Sequence, residues 1–433
     1  MDSLWIEDTQ APRFNKLNKS IKTDVLIIGG GITGILCAHM LKKANVDYVL
    51  VEANKICGGI TKNTTAKITV QHGLIYDKLI RQFDKDFARL YFEANRSALN
   101  EYTEMCKMID CDYEEKDSFV YSLKTNISPL EMEMEALHKI GCDAEFLSTL
   151  PLPFSISGAI RIPAQAQFHP LKFLYNLSKD LNIFEKTKVL ELAPGSIKTN
   201  GGSISANNII ITTHFPIINK HGFYFIKMYQ SRSYVLAIKN AQDLNGMFID
   251  EDDKGLSFRS FRDILLLGGG SHRTGKKSHG WQELEEFSKK HYPQSEVISK
   301  WATQDCMTLD RVPYIGKYSN KSNNLYVATG FNKWGITSSM VSARLLVDIL
   351  LGNKSPYEEI FSPSRSILRP QLAINAFETV MGVITPTVPR CPHLGCALKY
   401  NHYEHSWDCP CHGSRFTESK KLIDNPATDD IKK

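Results

Sequence analysis

Asp24-Val25-Leu26-Ile27-Ile28-Gly29-Gly30-Gly31-Ile32-Thr33-Gly34 is the stretch that decides the fold. Val25 to Ile28 is a short, largely β-branched apolar run closed by glycine, as expected of a parallel strand buried on both faces. The glycines then satisfy G-x-G-x-x-G through Gly29, Gly31 and Gly34. Residues 35–43 read as a helix, and Tyr48-Val-Leu-Val-Glu52 as a second strand ending in an acid. Each glycine does a mechanical job. Gly29 makes the tight turn, Gly31 allows close approach of a pyrophosphate, and Gly34 allows helix–strand packing. The helix N-terminus faces the phosphates, and Glu52, 18 residues after Gly34, can accept from a ribose hydroxyl. A glycine pattern alone could be a structural turn; the strand–turn–helix–strand context predicts a dinucleotide site.

A chain that also bound a nicotinamide nucleotide would carry a second fingerprint. The best rival is Leu265-Leu-Leu-Gly-Gly-Gly270, but Arg273 stands where its third glycine belongs, and Lys276 and Lys277 replace an apolar helix. One dinucleotide, FAD, is the economical reading.

The 433 residues suffice for two to three domains. With 42% hydrophobic and 23% charged residues, the composition excludes a disordered or fibrous chain. Lys and Arg total 52 against 47 Asp and Glu, and the resulting +5 is too weak to suggest nucleic acid or a membrane surface as partner. The start, Met1-Asp2-Ser3-Leu4-Trp5, lacks the basic and apolar regions of a signal peptide. The longest apolar stretch, residues 25–41, is broken by four glycines and carries His39, so no membrane span is expected. Cytoplasm is the expected compartment.

Three further motifs follow the fingerprint: Gly58-Gly59-Ile60-Thr61-Lys62-Asn63-Thr64-Thr65-Ala66-Lys67; Trp301-Ala-Thr-Gln-Asp305 with Asp310-Arg-Val-Pro-Tyr-Ile-Gly316; and Leu325-Tyr-Val-Ala-Thr-Gly330-Phe-Asn-Lys-Trp-Gly335-Ile-Thr337. In this order they resemble the D-amino-acid oxidase/glycine oxidase/sarcosine oxidase superfamily over roughly residues 20–355. The resemblance implies an α/β, Rossmann-type FAD domain in discontinuous parts (about 20–75, 150–215 and 300–355), interleaved with a mixed-sheet α+β substrate domain (about 76–150 and 216–300). It implies that Thr64, Thr65, Ala66 and Lys67 line the ribityl chain and ring. Gly330, Gly335 and Thr337 would form the turn beneath the flavin, and Val189 would hold adenine through its backbone. A helix over residues 338–351 would aim its positive end at the flavin. Leu79, Phe83, Phe87, Leu90, Ala94, Ala98, Tyr102, Met105 and Ile109 predict one long or two consecutive amphipathic helices. Arg232, Arg259, Arg262 and Arg273 are candidates to clamp a substrate carboxylate, with solvated strand-edge arginines the plainer reading for most. The basic loop His272–His279 reads as a solvated hairpin.

Of ten cysteines, six are scattered singly (Cys37, Cys57, Cys106, Cys111, Cys142, Cys306), while Cys391, Cys396, Cys409 and Cys411 crowd into 21 residues. Residues 356–370, with three prolines and three serines, read as a linker to this region. Cys391-Pro-His393-Leu-Gly-Cys396 and Cys409-Pro-Cys411-His412-Gly-Ser414, with 15 residues between His393 and Cys409, resemble the two loops of a Rieske [2Fe–2S] centre. The resemblance implies that Cys391, His393, Cys409 and His412 bind the irons and that Cys396 and Cys411 form a disulfide over them. A Cys2His2 zinc site is the structural alternative. No two of the 13 histidines have the spacing of a mononuclear-iron oxygenase. The small all-β module (371–433) looks abbreviated: about 20 residues precede Cys391 where the family carries several strands, and Lys420 and Asn425 stand where glycines are expected.

Together the two cofactors predict an enzyme that dehydrogenates an amine or amino-acid-like substrate at FAD. Electrons would then leave singly through the cluster to an external acceptor protein, or enter by the reverse route from a donor protein. The alternatives are an oxygen-using oxidase and an electron carrier or redox sensor without amine turnover.

Overall fold

The computed structural model describes residues 2–193, 195–218 and 222–432. The fingerprint strand, Ile21–Ile28, lies within an eight-stranded sheet. Across it the order is Tyr314–Lys317, Leu325–Thr329, Gly202–Ile211, Ile21–Ile28, Tyr48–Val51 and Ile183–Phe184. All of these neighbours run parallel except the first pair, and the hairpin Val189–Ala193/Ser196–Thr199 joins at Gly202–Ile211. Val25, Leu26, Ile27 and Ile28 are all buried because the strand is covered on both faces. Helix Ile32–Lys43 packs on helix Gly335–Leu351, joined by a Thr33–Ser339 hydroxyl contact of 2.9 Å.

A nine-stranded mixed sheet stands against this layer. Its order is Glu296–Thr308, Met228–Lys239, Ile264–Arg273, Ser257–Phe261, Met247–Asp250, Glu114–Ser122, Gly158–Gln167 and Lys67–Ile68, with Glu145–Leu147 beside Gly158–Gln167. The boundaries expected near 150 and 300 therefore shift. Gly158–Gln167 pairs antiparallel with Glu114–Ser122, and Glu296–Thr308 pairs with Met228–Lys239 from end to end, so both belong to the mixed sheet. The predicted helical stripe is two helices, Tyr76–Gln82 and Lys85–Cys106; the break comes at Asp84, whose carboxylate accepts from the Phe87 amide at 2.7 Å and caps the second.

The C-terminal region is a four-stranded sheet of Lys399–Asn401, Ser406–Asp408, Arg415–Thr417 and Leu422–Asp424. Ahead of it, where strands are the family expectation, stands a helix, Pro370–Ile384. The segment 356–370 is not a free linker. Ile360 and Phe361 are buried, and Arg365 closes on buried Asp310 with contacts of 2.7 and 2.9 Å. Lys420 takes φ +67, the left-handed conformation expected of a glycine there. Among the described residues no helix is long and apolar enough to cross a membrane.

Candidate active site and cluster centre

A cavity of about 800 Å³ opens where the carboxyl ends of the parallel strands meet the mixed sheet. Gly29 (φ +113) turns the chain so tightly that a Cβ there would lie 2.8 Å from the Thr212 carbonyl oxygen, and a Cβ on Gly34 would lie 2.0 Å from that of Gly29. Gly31 meets only the Thr61 hydroxyl, at 3.2 Å, which leaves its cavity side open. That hydroxyl accepts from the Ile32 amide at 3.1 Å. The Glu52 carboxylate faces the cavity while accepting from the Gly30 and Asn54 amides at 2.8 Å each; burial raises its pKa and those amides oppose the rise.

Thr64, Thr65 and Lys67 form another wall. Their loop is held by donors aimed at its carbonyls: Trp5 Nε1 to Thr64 at 2.8 Å, Trp301 Nε1 to Asn63 at 3.0 Å, and fully buried Arg259 to Thr65 and, at 2.9 Å, Ala66. Ala66 is buried at φ +56 and does not line the cavity. Burial, with Arg259 nearby, pushes the Lys67 ammonium down to about 7. Val189 and Gly335 line the cavity; Gly330, Gly34 and Thr337 do not. Gly330 (φ +74) makes room for Thr308, whose Cγ2 would lie 2.3 Å from an added Cβ, and the Thr337 hydroxyl faces His72 Nε2 at 3.1 Å. His72 also stacks on Trp334 at 4.8 Å, and burial pushes its pKa down to about 3, so the ring is neutral.

The four candidate clamp arginines all point elsewhere. Arg262 pairs with Asp112 and Asp8 at the surface, and Arg259 supports the loop of Thr65 and Ala66. Arg232 Nε donates to Glu404 at 2.9 Å, and Arg273 donates to the Pro410 and Cys411 carbonyls at 3.1 and 2.9 Å. Arg232 and Arg273 are thus not solvated edges but fasten the C-terminal region to the mixed sheet. The loop read as a solvated hairpin is docked too: a Cβ on Gly275 would lie 2.6 Å from the Pro410 nitrogen.

Sequence reasoning assigned no role to several cavity residues. Asp305, Lys333 and Trp334 lie inside motifs already quoted, so their positions were visible. His214 (φ +64) has a buried Nε2 without a hydrogen-bond partner. Least visible were Leu422, Ile423, Asp424, Asn425, Ala427 and Thr428, through which the C-terminal region walls the same cavity near Val189. Asn425 Nδ2 donates to the Phe215 carbonyl at 3.0 Å and to Thr213, and Lys188 Nζ donates to Thr428 at 2.5 Å.

The cysteine loops share one geometry. The Gly395 amide donates to the Cys391 carbonyl at 2.9 Å and the Gly413 amide to that of Cys409 at 2.9 Å. The Cys391 amide meets the Cys396 carbonyl at 2.9 Å, as the Cys409 amide meets Ser414 at 2.8 Å. Cys396, Cys409, Cys411 and His412 bring their ligand atoms within 4.8 Å of one another. The Cys391 thiol hydrogen-bonds to Cys409, and the His393 ring faces that of His412 at 4.9 Å. Hydrogen bonds from the thiols of Cys391, Cys396 and Cys411 hold Cys409 well below the usual thiol range. Cys396 and Cys411 are free thiols here, so the expected disulfide is not formed; both sulfurs pack into the Cys409 group. The donor set suits an iron–sulfur centre. His412 Nε2 is engaged by the Thr379 hydroxyl at 3.3 Å, while its buried Nδ1 has no hydrogen-bond partner and is left for a metal.

Residues 24–349 match the FAD-dependent oxidoreductase (DAO) family and residues 367–433 the Rieske [2Fe–2S] domain. YhfW of Bacillus subtilis, named as a Rieske 2Fe-2S iron-sulfur protein, is 35% identical across 100% of this chain and 97% of its own. Gamma-glutamylputrescine oxidoreductase of Escherichia coli is 24% identical over 80% of this chain and 87% of its own. Glycine oxidase from Geobacillus kaustophilus shares the fold, with a TM-score of 0.68 at 18% identity over 80% of this chain and 99% of its own. The chain belongs to the FAD-dependent oxidoreductases of the D-amino-acid oxidase family, binding FAD in its main body and a [2Fe–2S] cluster in a C-terminal Rieske domain.

Proposed function

We propose that this oxidoreductase dehydrogenates an amine or amino-acid-like substrate and sends the electrons one at a time through its Rieske cluster to an external acceptor. The observation that carries the reading is the strand Glu296–Thr308. Thr303 and Asp305 face the cavity, while Gln304 between them points the other way and donates at 2.9 Å to the carbonyl of Gly413, next to His412. Alternate residues of one strand therefore serve the two cofactor sites from opposite faces. FAD, when bound, takes two electrons as hydride, whereas the cluster takes one at a time; imidazole ligation raises the cluster's potential and favours flow toward it.

The chain's own residues divide the remaining work. Gly29, Gly31, Gly34, Glu52 and Val189 would hold the dinucleotide. Thr64, Thr65, Ala66, Lys67, Gly330, Gly335 and Thr337 would shape the flavin end. Cys391, His393, Cys409 and His412 would bind the irons, with Cys396 and Cys411 as the pair beside them. The test is anaerobic mixing of the oxidised holoenzyme with a panel of amines and amino acids. Bleaching of the flavin band followed by a reduced Rieske EPR signal is the expected outcome. A flavin that no member of the panel bleaches, in a protein whose cluster is still reducible by dithionite, would favour an electron carrier instead.

A further inference from the structure

Asp305 is an ionisable group in the cavity to which the dinucleotide reading gives no role. It sits on Glu296–Thr308 beside Thr303, with Ser233 and Ser271 of the neighbouring strands also facing the cavity. Among the described residues its carboxylate has no side-chain hydrogen bond and no ion pair. The cations that act on it electrostatically, Lys333 and Arg232, are both committed elsewhere. Lys333 Nζ is held by the Ser271 hydroxyl at 2.7 Å and the Asp253 carbonyl at 3.2 Å. Arg232 is locked on Glu404 at 2.9 Å. Burial pushes the Asp305 carboxyl up to about 6, against those two cations.

Several other charged groups facing the cavity are paired. Arg311 is paired with Asp253 at 2.5 Å, and Lys124 with Glu251 at 3.2 Å. A half-buried carboxylate with cations near it but no direct ion-pair partner is open to a ligand that supplies one. Arg232, Arg259, Arg262 and Arg273, the candidates to grip a substrate carboxylate, do not line the cavity, and Arg311, which does, is taken by Asp253.

We propose that Asp305 is the substrate-binding carboxylate, which recognises a protonated amine by a charge-assisted hydrogen bond from its ammonium group. The assignment rests on the amine-dehydrogenating reading above and narrows it to substrates recognised through their cationic nitrogen.

The experiment titrates oxidised holoenzyme at constant ionic strength with n-butylammonium chloride and, separately, sodium butyrate, following the flavin absorption band. The wild type should show a saturable perturbation with the ammonium and none with butyrate. Asp305→Asn should weaken ammonium binding about tenfold or more, the worth of a charge-assisted contact, with FAD and iron contents unchanged. Asp305→Glu should retain binding within a few-fold. Equal affinity in the Asn variant, saturation by butyrate alone, or no saturable response to the ammonium in the wild type would each overturn the assignment. Asp305-dependent ammonium binding in a protein whose flavin no amine bleaches would keep the assignment and defeat the dehydrogenase reading. Amine bleaching undiminished in Asp305→Asn would do the reverse.

Discussion

The FAD body and the Rieske domain hold their shapes by different means. The body is built round an extended apolar core in which Val25, Ile27, Ile35, Leu36, Ile210, Met340 and Leu346 are buried between sheet and helices. Among the described residues the Rieske domain has a core cluster of eight buried apolar residues, and four of them are Cys391, Cys396, Cys409 and Cys411. So small a core, half of it cysteine, cannot stabilise a domain unaided; cofactor and docking must contribute. The docking is ionic. Glu404 lies buried between Arg232 of the body and Arg415 of its own domain, and Arg415 also reaches Asp408 at 3.0 Å and Asp424 at 3.1 Å. The lesson is that a cofactor module can be positioned by charge and hydrogen bonding where it is too small to be positioned by apolar area.

Breaking that network gives the largest expected effect. Glu404→Gln leaves the buried Arg232 guanidinium facing only the more distant Asp424, at 3.9 Å among the described residues, while Arg415 keeps Asp408 and Asp424, and should cost about 3–5 kcal/mol. Melting followed by cluster visible circular dichroism should shift down while the flavin band melts later; coincident, unshifted transitions would refute ionic docking. Acid should act on the same group. Burial alone would raise the Glu404 pKa, but Arg232 and Arg415 hold it down to about 2, so its folded value lies below its unfolded one. Its stabilisation is complete above the ordinary carboxylate range and is lost as pH falls from there toward about 2. The cluster dichroism, recorded against pH, should fade over that interval.

Gly382 sharpens the comparison from the cluster side. Helix Pro370–Ile384 lies so close to the cysteine pair that a Cβ at this position would stand 2.2 Å from Cys411 Sγ. Gly382→Val should cost roughly 1–3 kcal/mol through overpacking and lower iron per chain, with FAD content preserved. Equal iron content would show that the helix can retreat. Asn425→Ala tests whether the Rieske domain also holds the other cofactor. Losing its bonds to the Thr213 and Phe215 carbonyls should free the 422–428 wall and raise the FAD dissociation constant a few-fold, or about 1 kcal/mol. Fluorescence titration of apoprotein with FAD reads this directly; an unchanged constant would separate the wall from the cofactor. The smallest effect is a gain. Lys420→Gly relieves a left-handed backbone at φ +67 and should stabilise the Rieske domain by roughly 1 kcal/mol in the same melt.

The parts legible in the sequence are those whose physics is local. Gly29 and Gly34 are demanded by contacts within one turn and its neighbouring strand, and Cys391-Pro-His393 and Cys409-Pro-Cys411-His412 each close a loop within six residues. The glycine expected at position 420 was likewise visible as a conformational need that Lys420 meets under strain. Arg232 and Arg273 were not legible as docking residues, because Glu404, Pro410 and Cys411 lie more than a hundred residues away in the chain. Nor could composition distinguish helix Pro370–Ile384 from the strands it stands in for, since an apolar run serves either.

By itself the sequence determined which cofactors this protein is built to hold, because turn sterics and metal-ligand spacing act over a few residues. Only the tertiary structure decided that strand Glu296–Thr308 faces both the cavity and the Rieske loops, that residues 422–428 wall that cavity, and that Asp305 stands in it without a direct ion-pair partner among the described residues. Those facts depend on which distant side chains burial brings together, and burial is a property of the assembled sheets rather than of any stretch of chain.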